Sequence, residues 1–430
     1  MNEVKPIILK NRLKVLFVPP IICKNEIGYY ITIKIGSNYE NKKLNGMSHF
    51  LEHMMFKGTH NRSRKEITDD FTKIGAIYNA STSDDYTTFF ATCHKMYWKD
   101  LLDIILDIYT SSNFSNDDIK LEKKVVCEEI SMYGHDEEHV IHTEILRLLY
   151  GSESSYGRII LGNCNKNIKQ FTMNDILKFK KKYYTPSNTS IRIIGNYTSK
   201  MKKDILNIIQ QKLENIKAGK LNRIELRNKK FIQKGILIKN IKMNIPQTSL
   251  NFVFRTEKTK NKNKYKYQLI SSILGFGTQS LLYQKLREEK GLTYNISCHC
   301  ETSINNGFMI ISVETDNKKV YETIEIIMEI LRDMKTNFIS EEILKSYKKL
   351  LNIQEELSLD TIDDHADYYV NYLVYDMKYE TIPEKIKKRN QVSKIHIRNL
   401  CKKIFVNDGF VFISLGRLTN NSKLRKLLNF

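Results

Sequence analysis

The chain has 430 residues, 41% of them hydrophobic and 27% charged, with six Pro and 18 Gly. That is enough apolar material for a large core, and it excludes disordered, collagen-like and Pro-rich low-complexity classes. The formal charge is +21, but the basic residues are scattered through a sequence crowded with Lys, Asn and Ile, so compositional bias is the simpler source and no nucleic-acid partner is expected.

The first 20 residues alternate apolar and charged positions. Lys5, Lys10, Arg12 and Lys14 interrupt any signal-peptide core, so this stretch is expected to form one or two strands. Alternation over 28–36 predicts a half-buried strand, and 47–56 a helix. A strand at 86–94 and helices near 97–111 and 115–133 follow, the first helix with Leu101, Ile104, Ile105 and Ile108 three and four apart. A similar order recurs later: a strand at 248–255, a helix at 265–286 broken by Gly275 and Gly277, strands at 293–302 and 307–315, and helices at 320–335 and 340–357. No apolar run approaches the roughly 18–20 residues of a membrane span, so none is expected.

Mixed strands and helices without strict βαβ alternation predict an α+β fold. The expectation is two related domains, each a mainly antiparallel sheet covered by helices. The first occupies 1–217, a basic linker 218–234, and the second 235–430. The seven Cys are odd in number and widely spaced, which predicts no disulfide framework and a reducing compartment. Cys298-His299-Cys300 is expected to be a strand with both thiols on one face; no second clip completes a metal site.

The sharpest chemical signal is His49-Phe50-Leu51-Glu52-His53. On a helix the two imidazoles lie one turn apart on one face, within reach of one metal ion, and Glu52 lies between them in angle, near a bound water. The order is that of an inverted zincin, H-x-x-E-H. Taken alone, five such residues are a weak signal and fit a solvated helix face better. Phe50, Leu51, Met54 and Met55, however, supply an apolar body, and burying two His and a Glu in it is costly without a ligand. Ser48 is the expected local cap. A third protein ligand must come from elsewhere. The helix at 121–133 offers Glu122, Glu128 and Glu129; Glu122, Val126 and Glu129 share a stripe. The alternative is that all three carboxylates pair at the surface with Lys123 and Lys124.

Residues 46–59, Gly-Met-Ser-His-Phe-Leu-Glu-His-Met-Met-Phe-Lys-Gly-Thr, resemble the signature of the pitrilysin/insulinase metallopeptidases, most of all the branch of mitochondrial processing peptidase and its bacterial relatives. The resemblance continues through Gly75, Asn79-Ala80-Ser81-Thr82-Ser83, Val125 to Met132, Tyr156-Gly157-Arg158, Tyr184 to Asn188, and Leu286 to Tyr294. It implies Glu129 as third ligand to one Zn2+ per chain beside His49 and His53, Glu122 as a supporting carboxylate, and Glu52 as general base. It further implies that Arg287 and Tyr294 bind the substrate carbonyl, and that extended peptide pairs with an edge strand at Asn79, Ala80, Ser81 and Thr82. Leu281 and Glu137 depart from the family's usual Arg and Pro, away from every proposed ligand.

The expected function is therefore a zinc metalloendopeptidase acting on extended or unfolded peptides, presequence-like or short peptides among them. The alternative is a non-catalytic, partner-dependent peptide-binding subunit. The resemblance to processing-peptidase subunits, whose length this chain shares, implies assembly as a homodimer or with a related chain, and the expected location is a bacterial cytoplasm, with periplasm and organelle matrix as alternatives. His60, His135, His139 and His142 are expected at the solvated surface, and Asp363 and Asp364 beside His365 at a helix start.

Overall fold

The computed structural model describes residues 4–18, 25–222, 233–418 and 421–430. Cys23 and residues 223–232 of the expected linker lie outside the described residues. Six strands, β1 (Ile7–Ile8), β2 (Lys14–Phe17), β3 (Glu26–Ile33), β4 (Ile77–Thr82), β5 (Thr87–His94) and β6 (Thr189–Gly195), form one sheet in the order β1-β2-β6-β3-β5-β4. Five more, β7 (Leu237–Lys242), β8 (Thr248–Arg255), β9 (Ile296–Thr302), β10 (Gly307–Thr315) and β11 (Phe410–Gly416), form the second in the order β7-β11-β8-β10-β9.

Without the short β1, the two sheets are the same diagram. β2 runs parallel to β6, and the pairs β6–β3, β3–β5 and β5–β4 are antiparallel. β7 likewise runs parallel to β11, and β11–β8, β8–β10 and β10–β9 are antiparallel. Helices α1 (Met47–Met55) and α2 (Arg64–Lys73) lie between the third and fourth strands, and α3 (Trp98–Ser111) and α4 (Asn116–Tyr133) follow the fifth. Their second-sheet counterparts are helix Lys264–Gly275 with the π-helical turn Tyr283–Glu289, and then helices Val320–Thr336 and Glu341–Leu357. The fold is thus α+β and internally duplicated.

Helices form where the side chains favour them. α3 buries Leu101, Leu102, Ile104, Ile105 and Ile108 on one side, the stripe expected of an amphipathic helix. α4 starts at Ser115, whose side chain accepts from the Asp118 N–H, and carries Asp117 and Asp118 in its first turn, where the helix dipole favours negative charge. Helix Ile362–Val374 starts at a capping box between Thr361 and Asp364, so Asp363 and Asp364 do mark a helix start.

The chain divides into two compact units that are not its two sequence halves. The first holds Met1–His135, Arg158–Arg227 and Leu357–Tyr379; the second holds Asp136–Gly157, Asn228–Glu356 and Glu380–Phe430. A single cut at 218–234 therefore follows the order of the elements but misassigns two helices. The reason is physical. β3 and β6 are buried almost throughout, as is β11, so each sheet has two faces to cover. On the first sheet, one face packs on α1 and α3; the other meets helix Ile362–Val374 through Leu16, Tyr30, Ile194, Tyr369 and Leu373. There Arg192, 1% exposed, donates to Thr32 Oγ1 (2.6 Å) and to the Ala366 carbonyl. On the second sheet the corresponding face meets helix Glu137–Tyr150 through Ile141, Ile145 and Leu149 against Val253, Ile310 and Ile413. Among the described residues no helix is long and apolar enough to cross a membrane.

If the late helix is a structural part of the first unit, Leu373→Ala should destabilise that unit by about 2–5 kcal/mol, the usual loss for a buried Leu. Urea unfolding monitored within the first unit checks this; an unchanged midpoint would refute the exchanged-helix packing.

Candidate metal centre

α1 begins at a crowded backbone junction. Gly46 has φ 90°, and a Cβ there would lie 2.6 Å from the Leu161 carbonyl; Gly162, φ +70°, faces it, and its Cβ would lie 2.4 Å from the Asn45 carbonyl. Only glycine meets both demands. The helix is not capped by Ser48, which is buried inside its first turn. The cap is the buried carboxylate of Glu40, which accepts from the Gly46 N–H (2.7 Å), the Ser48 N–H (2.7 Å) and Asn45 Nδ2 (3.1 Å). A carboxylate is the better cap because it satisfies several orphan N–H groups at once and complements the helix dipole.

The helix presents His49 and His53 on one side, with ring centroids 4.6 Å apart. α4 brings Glu129 against them: its Oε1 is 3.6 Å from His49 Nε2 and its Oε2 3.6 Å from His53 Nε2. One ligand atom from each of the three lies within 4.8 Å of the others, and this is the metal-compatible cluster found among the described residues. These separations are too long for hydrogen bonds, and Glu129 Oε2 is buried without a hydrogen-bond partner. Three such groups facing one another without a hydrogen bond between them suit a cation at their centre. Burial, and then the neighbouring His53, push the His49 imidazole down to about 3, so it is neutral at neutral pH. Burial, and then Glu122, raise the Glu129 carboxyl above the usual range, a penalty that a dication would relieve.

His53 is oriented from behind. Its Nδ1 lies 2.7 Å from Glu122 Oε1. Burial would raise the Glu122 carboxyl, but hydrogen bonding with His53 and Lys57 holds it below the usual range. A carboxylate only accepts, so His53 donates from Nδ1 and keeps the Nε2 lone pair for the site. Burial acts to lower the His53 pKa, but the Glu122 hydrogen bond and the charges of Glu52, Glu122 and Glu129 outweigh it, and the net shift is upward. Glu52 lies beside the cluster. Burial and then the charge of Glu129 raise its carboxyl, against the Thr82 hydroxyl, which donates to Glu52 Oε2 at 2.5 Å.

Asn79, Ala80, Ser81 and Thr82 lie on β4, the last strand of the first sheet, paired on one side with β5. Tyr78, Ala80 and Thr82 are the half-buried positions; Asn79 and Ser81 alternate with them as exposed ones. Arg287 and Tyr294 belong to the second unit. Arg287 sits on the π-helical turn, an irregularity often found at functional sites. It donates to the Tyr294 carbonyl at 3.1 Å, with its guanidinium 5.4 Å from that ring's centroid; Tyr294 is 74% exposed. Of the other histidines, His142 is not simply solvated: its Nε2 is 3.1 Å from Glu301 Oε2, because helix Glu137–Tyr150 lies on the second sheet. The strand expected at Cys298-His299-Cys300 is β9.

Three features were not assigned from the sequence. Glu40 caps from an irregular loop that leaves no pattern. Lys57, one turn beyond His53, reaches Glu122, and that spacing was a usable signal. Cys127 on α4 and Cys164 form a disulfide across 37 residues of sequence, which corrects the expectation of free thiols at that pair; Cys93, Cys298, Cys300 and Cys401 are free. The bridge ties the Glu129 helix to the segment whose Gly162 abuts Gly46 and whose Asn167 donates to the Lys42 carbonyl at 2.9 Å.

Residues 26–161 match the family described as insulinase (peptidase family M16), and 170–351 the peptidase M16 inactive domain. An uncharacterized zinc protease, YmxG, of Bacillus subtilis is 28% identical over 378 residues, 88% of this chain and 90% of the relative. An uncharacterized zinc protease of Rickettsia felis is 30% identical over 314 residues, 73% of each chain. Among solved structures, a protease from Helicobacter pylori superimposes with a TM-score of 0.87 at 21% identity, over 97% of this chain and all of that one.

A closed loop of that length makes the bridge worth about 2–4 kcal/mol. Cys127→Ser should lower thermal stability under non-reducing conditions and leave it unchanged under dithiothreitol, where both proteins have free thiols. Equal melting without reductant would contradict the bridge.

Proposed function

The chain belongs to the insulinase family of peptidases, and on that premise we propose that it is a zinc-dependent endopeptidase cutting extended or unfolded peptides. The observation that carries this is the convergence of His49, His53 and Glu129 on one point, with Glu52 beside them. His49, His53 and Glu129 would hold one Zn2+ per chain, and the neutral imidazole of His49, the Nε2 of His53 freed by Glu122, and the unpartnered Glu129 oxygen all suit that ion. Bound there, zinc supplies a Lewis acid that acidifies water and polarises a carbonyl.

The chain's own groups do the rest. Thr82 occupies one oxygen of Glu52, so the other is left to take a proton from the attacking water and return it to the leaving amine. Burial keeps that carboxyl more basic than usual, which suits a group that must both take and give a proton near neutrality. Among the described residues β4 is the last strand of its sheet, and its outer edge offers backbone groups to an extended peptide, which pairs as an added strand; a folded substrate, its own backbone groups already paired, cannot. Arg287 and Tyr294, held together by the Arg287 contact to the Tyr294 carbonyl, are assigned to the substrate carbonyl, where donors matter most as charge develops.

Assembly with a second copy or a related chain belongs to the same proposal. So does a bacterial location, for which the cysteine count is no longer an argument, since a structural disulfide persists best in an oxidising compartment.

Glu52→Gln should retain zinc at wild-type stoichiometry and lose turnover of an unstructured peptide by at least about 100-fold, the low end of general acid–base contributions. An active Glu52→Gln protein would overturn the assignment of the base. Arg287→Ala or Tyr294→Phe should also retain zinc but reduce kcat/KM; zinc-loaded variants with unaltered kcat/KM would remove the second unit from the chemistry.

A further inference from the structure

Behind His53 and Glu122 stands a group that the proposed mechanism does not use. Lys57 Nζ lies 2.5 Å from Glu122 Oε2, and the two side chains are 13% and 3% exposed. A lysine this enclosed is uncommon, because burying an ammonium is costly unless a partner compensates it. Its location is set by the chain. α1 ends at Met55, the Lys57 N–H bonds back to the Met54 carbonyl at 3.0 Å, and Gly58 then turns the chain away at φ +153°. Lys57 is thereby delivered to the rear of the carboxylate whose other oxygen faces His53.

The charges around it explain why a cation belongs there. Glu52, Glu122 and Glu129 interact with one another or with the same imidazole: Glu129 acts on Glu52, and Glu122 acts on Glu129. A bound dication offsets two of the three negative charges, and one ammonium offsets the third. We infer that Lys57 is a positioning residue of the metal centre: it pins the Glu122 carboxylate so that Oε1 stays against His53 Nδ1 and His53 presents Nε2 to the metal. Without Lys57, the buried Oε2 has no cation, and the carboxylate is free to turn toward whatever positive charge remains, the metal included. This rests on the zinc site proposed above.

The sign of the effect separates positioning from simple charge. A lysine acting only through its charge repels a dication, so removing it would tighten zinc binding. A positioning lysine has the opposite signature, since losing support behind a ligating imidazole weakens metal binding by about 10- to 100-fold. The experiment uses the full chain with Lys57→Met and Lys57→Arg. Zinc affinity is measured by competition with a chromophoric chelator, and kcat and KM are measured on an unstructured peptide at saturating zinc. Lys57→Met should bind zinc about 10- to 100-fold more weakly and lower kcat with KM within about 2-fold, and Lys57→Arg should recover most of both. Unchanged or tighter zinc binding by Lys57→Met overturns the inference. If Lys57→Met does not fold, Glu122→Gln is compared with the Glu122→Gln/Lys57→Met double variant. Equal zinc affinities are expected when Lys57 acts only through Glu122, and a further loss in the double variant overturns the inference. A wild-type chain that binds no zinc would instead sink the peptidase proposal itself.

Discussion

Three carboxylates and two imidazoles share one enclosed corner of the first unit, and a cluster of that composition is costly to keep in a low dielectric unless positive charge is added to it. Most of the local architecture can be traced to that constraint. His49 stays neutral, Glu129 and Glu52 are pushed toward protonation, and Glu122 is held ionised against its burial by the hydrogen bond with His53 and the ion pair with Lys57. The imidazoles and Glu129 stand 3.6 Å apart, too far to hydrogen-bond one another. The chain spends buried polar groups there that a packing face would not carry.

Holding such donors in place needs rigid support on both sides. α1 is fixed at its start by the Glu40 cap and the Gly46–Gly162 contact, and α4 is tied to the segment around Gly162 by the Cys127–Cys164 bridge. The same short segment therefore braces both helices that carry His49, His53 and Glu129. The sheet beneath is closed on its far side by a helix that arrives from residue 362 onward, and the second sheet receives its far-side cover from residues 137–150. The repeat of β2–β6 in β7–β11, strand for strand, makes this exchange reciprocal: each half of the chain contributes the same helix of the pattern to the other unit.

Much of this was legible in the sequence, and the reasons are local. Strand alternation and helical periodicity are written within short windows, so the α+β class, the duplication and the elements β3, α1, β5, α3, α4, β8, β9 and β10 could be placed from residues alone, whereas no helix or strand between 134 and 247, β6 among them, was placed. His49, Glu52 and His53 sit within one turn and a half of helix. Glu129 was different: pattern narrowed it to a stripe shared with Glu122, and only the family resemblance chose between them. The exchange of helices was not legible, because residues 137–150 and 362–374 carry ordinary amphipathic patterns that do not say which sheet they cover. Cys127 and Cys164 meet only through tertiary structure. Lys57 was visible but looked like one more basic residue among the 69 Lys and Arg; its burial, not its identity, sets it apart.

Zinc content and zinc-edge X-ray absorption of the purified, zinc-loaded chain address the centre most directly. One zinc per chain, with a first shell of two imidazole nitrogens and oxygen donors, is the result this account requires. A chain that takes up no stoichiometric zinc, or whose zinc carries sulfur ligands, would contradict it.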